Sequence, residues 1–317
     1  MSKELLFATL NHEETERAPW VPFAGVHAAS LIGVTAKDVL TDGDLLFKSL
    51  MEVNRLYKPD GQPILFDLQL EAEIMGCDLR WADDNPPSVS SHPLEDDDTE
   101  DDGLTMGDDL LPAPDKGRMP MVLDVMRRMK EAVGDTTALY GLFCGPFTLA
   151  SHLRGNDIFM DMFDDDEYVK DLLAYCVKAG KRMIDMYADA GMDVIAVVDP
   201  LVSQISPAHF TEFMHEPFSE LYAYIKEKGL YSSLFVCGDA TKNIEVMCKT
   251  KPDSLHIDEN VDMVGAKKIA DQYDVVMGGN IPLTSIMLLG SQLDNMKAVI
   301  DLIDAVDSKS NFIMAPG

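Results

Sequence analysis

The sequence predicts a single (β/α)8 TIM barrel, and three observations lead there. Eight short apolar runs recur along the 317 residues, helix-length amphipathic segments separate most of them, and the GxGxxG phosphate fingerprint of an open doubly wound sheet is absent. Most runs are continuous rather than alternating, as parallel strands buried on both faces require.

The eight candidate strands are VPFAG (Val21 to Gly25), ILFD (Ile64 to Asp67), LYGLF (Leu139 to Phe143), VIAVVD (Val194 to Asp199), SLFVC (Ser233 to Cys237), SLHID (Ser254 to Asp258), VVMGGN (Val275 to Asn280) and FIMAP (Phe312 to Pro316). Between the fourth strand and the one before it, Val169, Leu172, Leu173, Cys176, Met183, Ile184 and Tyr187 recur at helical spacing from Glu167 to Ala190, with Gly191 as a stop. The stretch from Ala82 to Pro120 fits neither pattern. It reads as a hairpin-like excursion between strands two and three with an acidic loop at its tip, since nine of the fifteen residues from Glu95 to Asp109 are Asp or Glu. No repeat or Gly/Ser linker divides the chain, so residues 1–317 are expected to form one domain. A complete barrel carries a helix after its last strand, so a natural C-terminal segment is expected beyond Gly317.

Composition narrows the function classes. The formal charge of −29, from 55 acidic and 26 basic residues, repels nucleic acid, anionic membranes and polyanionic substrates. No apolar run approaches the roughly 20 residues of a bilayer span and no signal-peptide h-region opens the chain, so a cytoplasmic location is expected. Five scattered cysteines without a CxxC pair suggest reduced thiols rather than a disulfide framework.

Barrel chemistry gathers at the carboxyl ends of strands. Those ends are polar here: His27, Asp67 with Glu71 and Glu73, Cys144, Asp199, Cys237 with Asp239, His256 with Asp258, and Asn280. Thiolate, imidazole and carboxylate are the ligand types zinc prefers. Cys237 stands out because Gly238, Asp239 and Ala240 follow it, a tight turn that presents its side chain to the mouth.

Taken together, GPFTLASHL (Gly145 to Leu153), Asp199 to Pro207, LFVCGDAT (Leu234 to Thr241), HIDENVDMVGAKKIA (His256 to Ala270), GGNIPLTSIMLLGS (Gly278 to Ser291) and IMAPG (Ile313 to Gly317) resemble the uroporphyrinogen decarboxylase-like superfamily, and within it the cobamide-dependent methyltransferases. The resemblance implies a (β/α)8 barrel, zinc, and a corrinoid (cobalamin) carried by a partner protein. The decarboxylase branch carries an Arg-containing motif near its N-terminus, whereas Pro19 to Gly33 contains no Arg. A strongly acidic chain without that arginine suits a polycarboxylate tetrapyrrole poorly.

In the methyltransferase branch the zinc motif is His-x-Cys on strand five plus a Cys after strand eight. Here the Cys is Cys237, the His position holds Phe235, and the later position falls past Gly317. Cys237 is therefore the expected metal ligand, with His27, Glu71, Glu73, Asp239 and His256 as candidate replacements for the missing His. Asp199 and Asp239 are candidate catalytic acids or orienting groups. His27, Phe23, Phe147 and Phe235 are candidates for substrate binding, with Phe66 and Phe143 near the same rim.

The altered ligand set and the phenylalanines favour zinc-assisted O-demethylation, in which a methyl ether such as a methoxylated aromatic gives its methyl to Co(I) of a corrinoid protein. The alternative is a methylcorrinoid:thiol methyltransferase. A decarboxylase and a non-catalytic barrel that binds a corrinoid protein are the remaining readings.

Overall fold

The computed structural model describes residues 2–96 and 104–317. A curled sheet of seven parallel strands carries the fold: β1 (Gly61–Pro63), β4 (Ala138–Cys144), β5 (Val194–Val198), β6 (Tyr231–Val236), β7 (Ser254–Ile257), β8 (Val276–Ile281) and β9 (Phe312–Pro316), hydrogen-bonded in that order. The short strands β2 (Leu79–Arg80) and β3 (Ser88–Val89) form a separate antiparallel hairpin. The last six runs read from the sequence coincide with β4 to β9.

The first two do not match their expected extents. Val21 to Gly25 forms no strand; only an isolated bridge joins Trp20 to Met314. Pro22 has no amide hydrogen to continue a ladder, so pairing stops at Val21. This single bridge nevertheless closes the ring. Val21 N donates to Met314 O (2.9 Å) and Met314 N to Pro19 O (2.8 Å), while on the other side the amides of Asp60 (2.9 Å) and Gly61 (3.3 Å) donate to Trp20 O. Beneath the closure, Arg17 forks onto the buried carboxylate of Asp60 at 2.7 and 2.8 Å, and Trp20 N donates to the same carboxylate at 2.7 Å. Strand two is also earlier than expected: β1 ends at Pro63, and after Ile64 N donates to Tyr140 O (3.1 Å) the apolar stretch to Asp67 peels away into the mouth.

The excursion does contain a hairpin, but the turn between β2 and β3 is its tip and the acidic run follows afterwards. Residues 97–103 of that run lie outside the described residues. The helix expected from Glu167 to Ala190 spans Asp166–Asp189 and buries the apolar face named from its periodicity.

Two apolar layers result. The outer one lies between sheet and helices. The inner one fills the barrel with Tyr140, Leu142, Val194, Ala196, Val198, Phe235, Val276 and Ile313, whose alternation along each strand points every second side chain inward. Leu6 and Leu10 of helix Ser2–Leu10 join Ala138 and Val194 at the amino ends of the strands, so this helix plugs the barrel floor. Lys3 fixes it by donating to Asp193 at 2.9 Å. Helix Gln292–Ala305, in contrast, has no buried residue and exposes Leu293, Met296 and Ile300, next to exposed Leu288 and Leu289. Among the described residues no helix is long and apolar enough to cross a membrane.

Candidate active site

Opposite the floor helix lie the carboxyl ends of the strands. Phe23, Phe66 and Phe235 meet there, with ring centroids 4.8 Å apart for Phe23–Phe235, 5.8 Å for Phe66–Phe235 and 6.3 Å for Phe23–Phe66. The lower edge of this aromatic layer is Tyr140, 5.9 Å from Phe23. Cys237, half-buried, packs on the same inner cluster immediately after β6.

His256 belongs to this layer too. Phe235 and His256 are register partners on β6 and β7, and their rings stack at 5.9 Å with Phe23 edge-on at 5.0 Å. The imidazole is fully buried and neither ring nitrogen has a hydrogen-bond partner. Burial pushes its pKa down to about 3, so it is neutral and keeps a lone pair available. Room for it comes from Gly278 on β8, where a Cβ would come within 2.2 Å of Nδ1. A Gly-Gly pair inside a strand, here Gly278–Gly279, is the sequence signal of such a close approach.

One step above, at the strand tips, Cys237 and Asp258 follow the last β6–β7 register pair. Asp258 accepts from Gly238 N at 2.8 Å and from Asn260 N at 2.9 Å, which pins the turn carrying Cys237. Burial, with the Asp258 charge adding to it, pushes the Cys237 thiol up to about 11. Asn280 braces the neighbouring loop by donating to Asp258 O and Val261 O at 2.9 and 2.8 Å.

The other candidates are placed elsewhere. Glu73 pairs with Arg118 Nε at 2.7 Å, and the same guanidinium takes Asp67 at 2.6 Å and stacks 5.0 Å from Trp81. Arg118 lies in the stretch that showed no periodicity, so nothing in the sequence marked it. Glu71 is fully buried in this group; its Oε1 accepts from Cys144 N at 3.4 Å, its Oε2 has no partner, and burial raises its pKa to about 8. Asp199 caps helix Pro146–Arg154, accepting from Phe147 N (2.9 Å), Thr148 N (3.0 Å) and Thr148 Oγ1 (2.6 Å). It is wholly buried, and burial raises its pKa to about 7 against those bonds. Gly145 makes the cap possible, since a Cβ there would lie 2.3 Å from that of Asp199.

Phe147 is buried in the outer layer against Phe159 at 5.4 Å, and Phe143 lies in the same layer, so neither lines the mouth. His27 is exposed at the start of a short helix and bonds Tyr57 Oη at 2.8 Å. Asp239 is exposed and closes a local turn by accepting from Thr241 N and Oγ1. Of the expected site residues, the fold therefore gathers Phe23, Phe235, Cys237 and His256 at one mouth, and disperses Glu71, Glu73, Asp199, Phe147, His27 and Asp239.

These donors bear directly on a metal. Among the described residues no group of three or more His, Cys, Asp or Glu side chains is arranged to hold one. Two donors of the right chemistry, the Cys237 thiol and the unpartnered His256 imidazole, stand at the ends of neighbouring strands, with Phe235 where the resemblance expects an imidazole. They fit zinc as a partial set.

Comparison with known proteins agrees with this architecture. The chain is 25% identical over 308 residues to methylcobamide:CoM methyltransferase MtbA of Methanosarcina acetivorans, covering 95% of this chain and 88% of that protein. It is 25% identical over 249 residues to uroporphyrinogen decarboxylase of Synechococcus sp., covering 75% and 68%. A solved methyltransferase from Methanosarcina mazei superposes with a TM-score of 0.88 at 23% identity, over 100% of this chain and 92% of that one, and shares its fold. The family model described as uroporphyrinogen decarboxylase (URO-D) matches residues 1–317 throughout. The chain belongs to the uroporphyrinogen decarboxylase (URO-D) family.

Proposed function

We propose that the chain is a cobamide-dependent methyltransferase that moves a methyl group from a methylcorrinoid, presented by a corrinoid protein, to a thiol. The observation that carries this reading is the aromatic layer of Phe23, Phe66 and Phe235 beneath Cys237. Such a surface suits a neutral methyl carbon and a sulfur, both poorly hydrated, and offers no cation to the carboxylates of a porphyrin substrate. Arg118, the guanidinium near the ends of β1 and β4, gives Nη1 to Asp67 and Nε to Glu73 and keeps its buried Nη2 without a partner.

Similarity to methylcobamide:CoM methyltransferases over nearly the whole chain supports the thiol direction above the O-demethylating one that the altered motif led us to expect. The uroporphyrinogen decarboxylases align over a smaller share.

In this reading the chain contributes position and dryness. The phenylalanines exclude water from the sulfur and the methyl carbon, which raises the nucleophilicity of a thiolate. Asp258 holds the Gly238 turn, and so Cys237, in place. His256 supplies a neutral nitrogen donor from below. Cys237 and His256 are the residues that would hold zinc, and the chemistry zinc supplies when bound is acidification of the acceptor thiol.

The direction is tested with purified protein in two reactions: methylcobalamin with a thiol, and Co(I) cobalamin with a methoxylated aromatic. Protein-dependent loss of methylcobalamin in the first is expected. Formation of methylcobalamin in the second, with none lost in the first, reverses the assignment.

A further inference from the structure

The aromatic layer depends on a side chain outside it. Phe66 contributes one of its rings, yet β1 ends at Pro63 and Phe66 itself lies in neither strand nor helix, so no ladder sets its backbone. The next residue holds the stretch instead. The buried carboxylate of Asp67 accepts from Gln69 N at 2.9 Å through Oδ1 and from Arg118 Nη1 at 2.6 Å through Oδ2. With both oxygens held, the planar peptide between Phe66 and Asp67 is restrained, and with it the direction in which the Phe66 ring leaves the chain.

Arg118 is itself anchored. It stands at the start of helix Met119–Val133, whose Met119, Val122, Val125 and Met126 are buried. Its Nε donates to Glu73 at 2.7 Å, its Nη1 also reaches Leu40 O at 3.1 Å, and its guanidinium lies 5.0 Å from the Trp81 ring. Nη2 is buried without a partner, so the grip runs through Nη1 and Nε alone. Two bonded edges and one stacked face define the place of a planar fork, and an ammonium, being a point charge, does not reproduce them.

The Phe66 ring so placed meets Phe235 at 5.8 Å and 82° and Phe23 at 6.3 Å and 89°. Both contacts are edge-to-face, an arrangement that a shift of one ring destroys. We infer that Arg118 is a positioning residue for the mouth: through Asp67 it sets the Phe66 ring in the aromatic layer beneath Cys237. Its effect on rate rests on the methyl transfer proposed above, whereas its hold on the ring does not.

Two variants approach the contact from opposite sides. Arg118→Lys keeps a cation and loses the fork; Asp67→Asn keeps an acceptor for Gln69 N and loses the charge. Crystal structures of the full chain and of these variants read the position of the Phe66 ring without reference to activity, and either variant suffices if the other does not fold. The ring is expected to move by about 1 Å or more against Phe235. A ring left in place overturns the inference.

The kinetic arm follows optical loss of methylcobalamin with 2-mercaptoethanol, per folded protein. Arg118→Lys, or Asp67→Asn in its place, is expected to lower kcat/KM about tenfold, as a misplacement of that size does. In a Phe66→Leu background the same substitution should cost no more than about twofold, because the ring it acts on is gone. A general loss of structure costs the same in both backgrounds, so equal losses overturn the inference and leave methyl transfer standing. If the wild-type chain consumes no methylcobalamin, the methyl-transfer reading falls, and the crystal structures still decide whether Arg118 sets the ring.

Discussion

The imidazole of His256 lies nearly parallel to the ring of Phe235, 14° between planes and 5.9 Å between centroids, on adjacent strands in direct register. A nitrogen donor thus occupies the mouth one strand away from the position where the sequence motif led us to look. If Cys237 and His256 share a zinc ion, Cys237→Ala and His256→Leu each lower the zinc retained per chain after dialysis by at least about tenfold, as loss of one ligand does. Elemental analysis of folded protein checks this independently of turnover. Full zinc retention in both variants places the metal elsewhere.

The same imidazole makes stability depend on pH. Burial lowers its pKa to about 3, whereas in an unfolded chain it titrates near roughly 6.5. As pH falls the unfolded chain takes up the proton first, so the contribution is intact above the unfolded pKa and is lost as pH drops toward the folded one. By about pH 5 the loss amounts to ~2 kcal/mol. Urea unfolding of chelator-treated protein at pH 7.5 and at pH 5 should show that decrement, and His256→Leu should lack it. An equal decrement in both proteins assigns the pH dependence to other groups.

Gly278 and His256 occupy one space between them. Adding a Cβ at 278 places it within 2.2 Å of Nδ1, so Gly278→Ala alone should destabilise by about 2 kcal/mol. Combined with His256→Ala the penalty should shrink by about 1 kcal/mol or more, a coupling readable from a double-mutant cycle. Additive effects contradict the contact.

Asp199 was a candidate acid by its position after β5, yet its three bonds go to Phe147 and Thr148 at a helix N-terminus. Asp199→Ala should therefore cost about 3 kcal/mol of stability, since it strands buried donors. Asp199→Asn, which keeps an acceptor, should cost less and retain kcat/KM. A stable Asn variant without activity restores the catalytic reading.

The exposed face of Leu288, Leu293 and Ile300 is larger than scattered surface leucines. Replacing these three by Lys should slow self-association in light scattering while changing unfolding free energy by no more than about 0.5 kcal/mol each. Greater destabilisation shows that the face is packed in solution.

What the sequence disclosed follows from what periodicity encodes. β4 to β9 were legible because strands buried on both faces read as continuous apolar runs, and the Asp166–Asp189 helix because its apolar face repeats every three to four residues. Val21 to Gly25 misled because hydrophobicity carries no information about Pro22 and its missing donor. Ile64 to Asp67 misled because a mouth lining is as apolar as a strand. Within the site, Cys237, His256, Phe23 and Phe235 were found by asking which residues end strands. Glu71, Glu73 and Asp199 satisfied the same test and went elsewhere, since sequence position does not reveal that Arg118 or a helix amide is waiting for a carboxylate.

The single bridge at Trp20 gives the ring a seam. Four backbone bonds hold it, against five register pairs between β8 and β9, and the segment that supplies it continues from the helix that stoppers the floor. Wall and floor of the barrel are therefore fastened by one stretch of chain, and the Arg17–Asp60 fork is its clasp. One ion pair thus ties together the wall and the base of the aromatic chamber, so the far end of the barrel bears on the lining at its mouth.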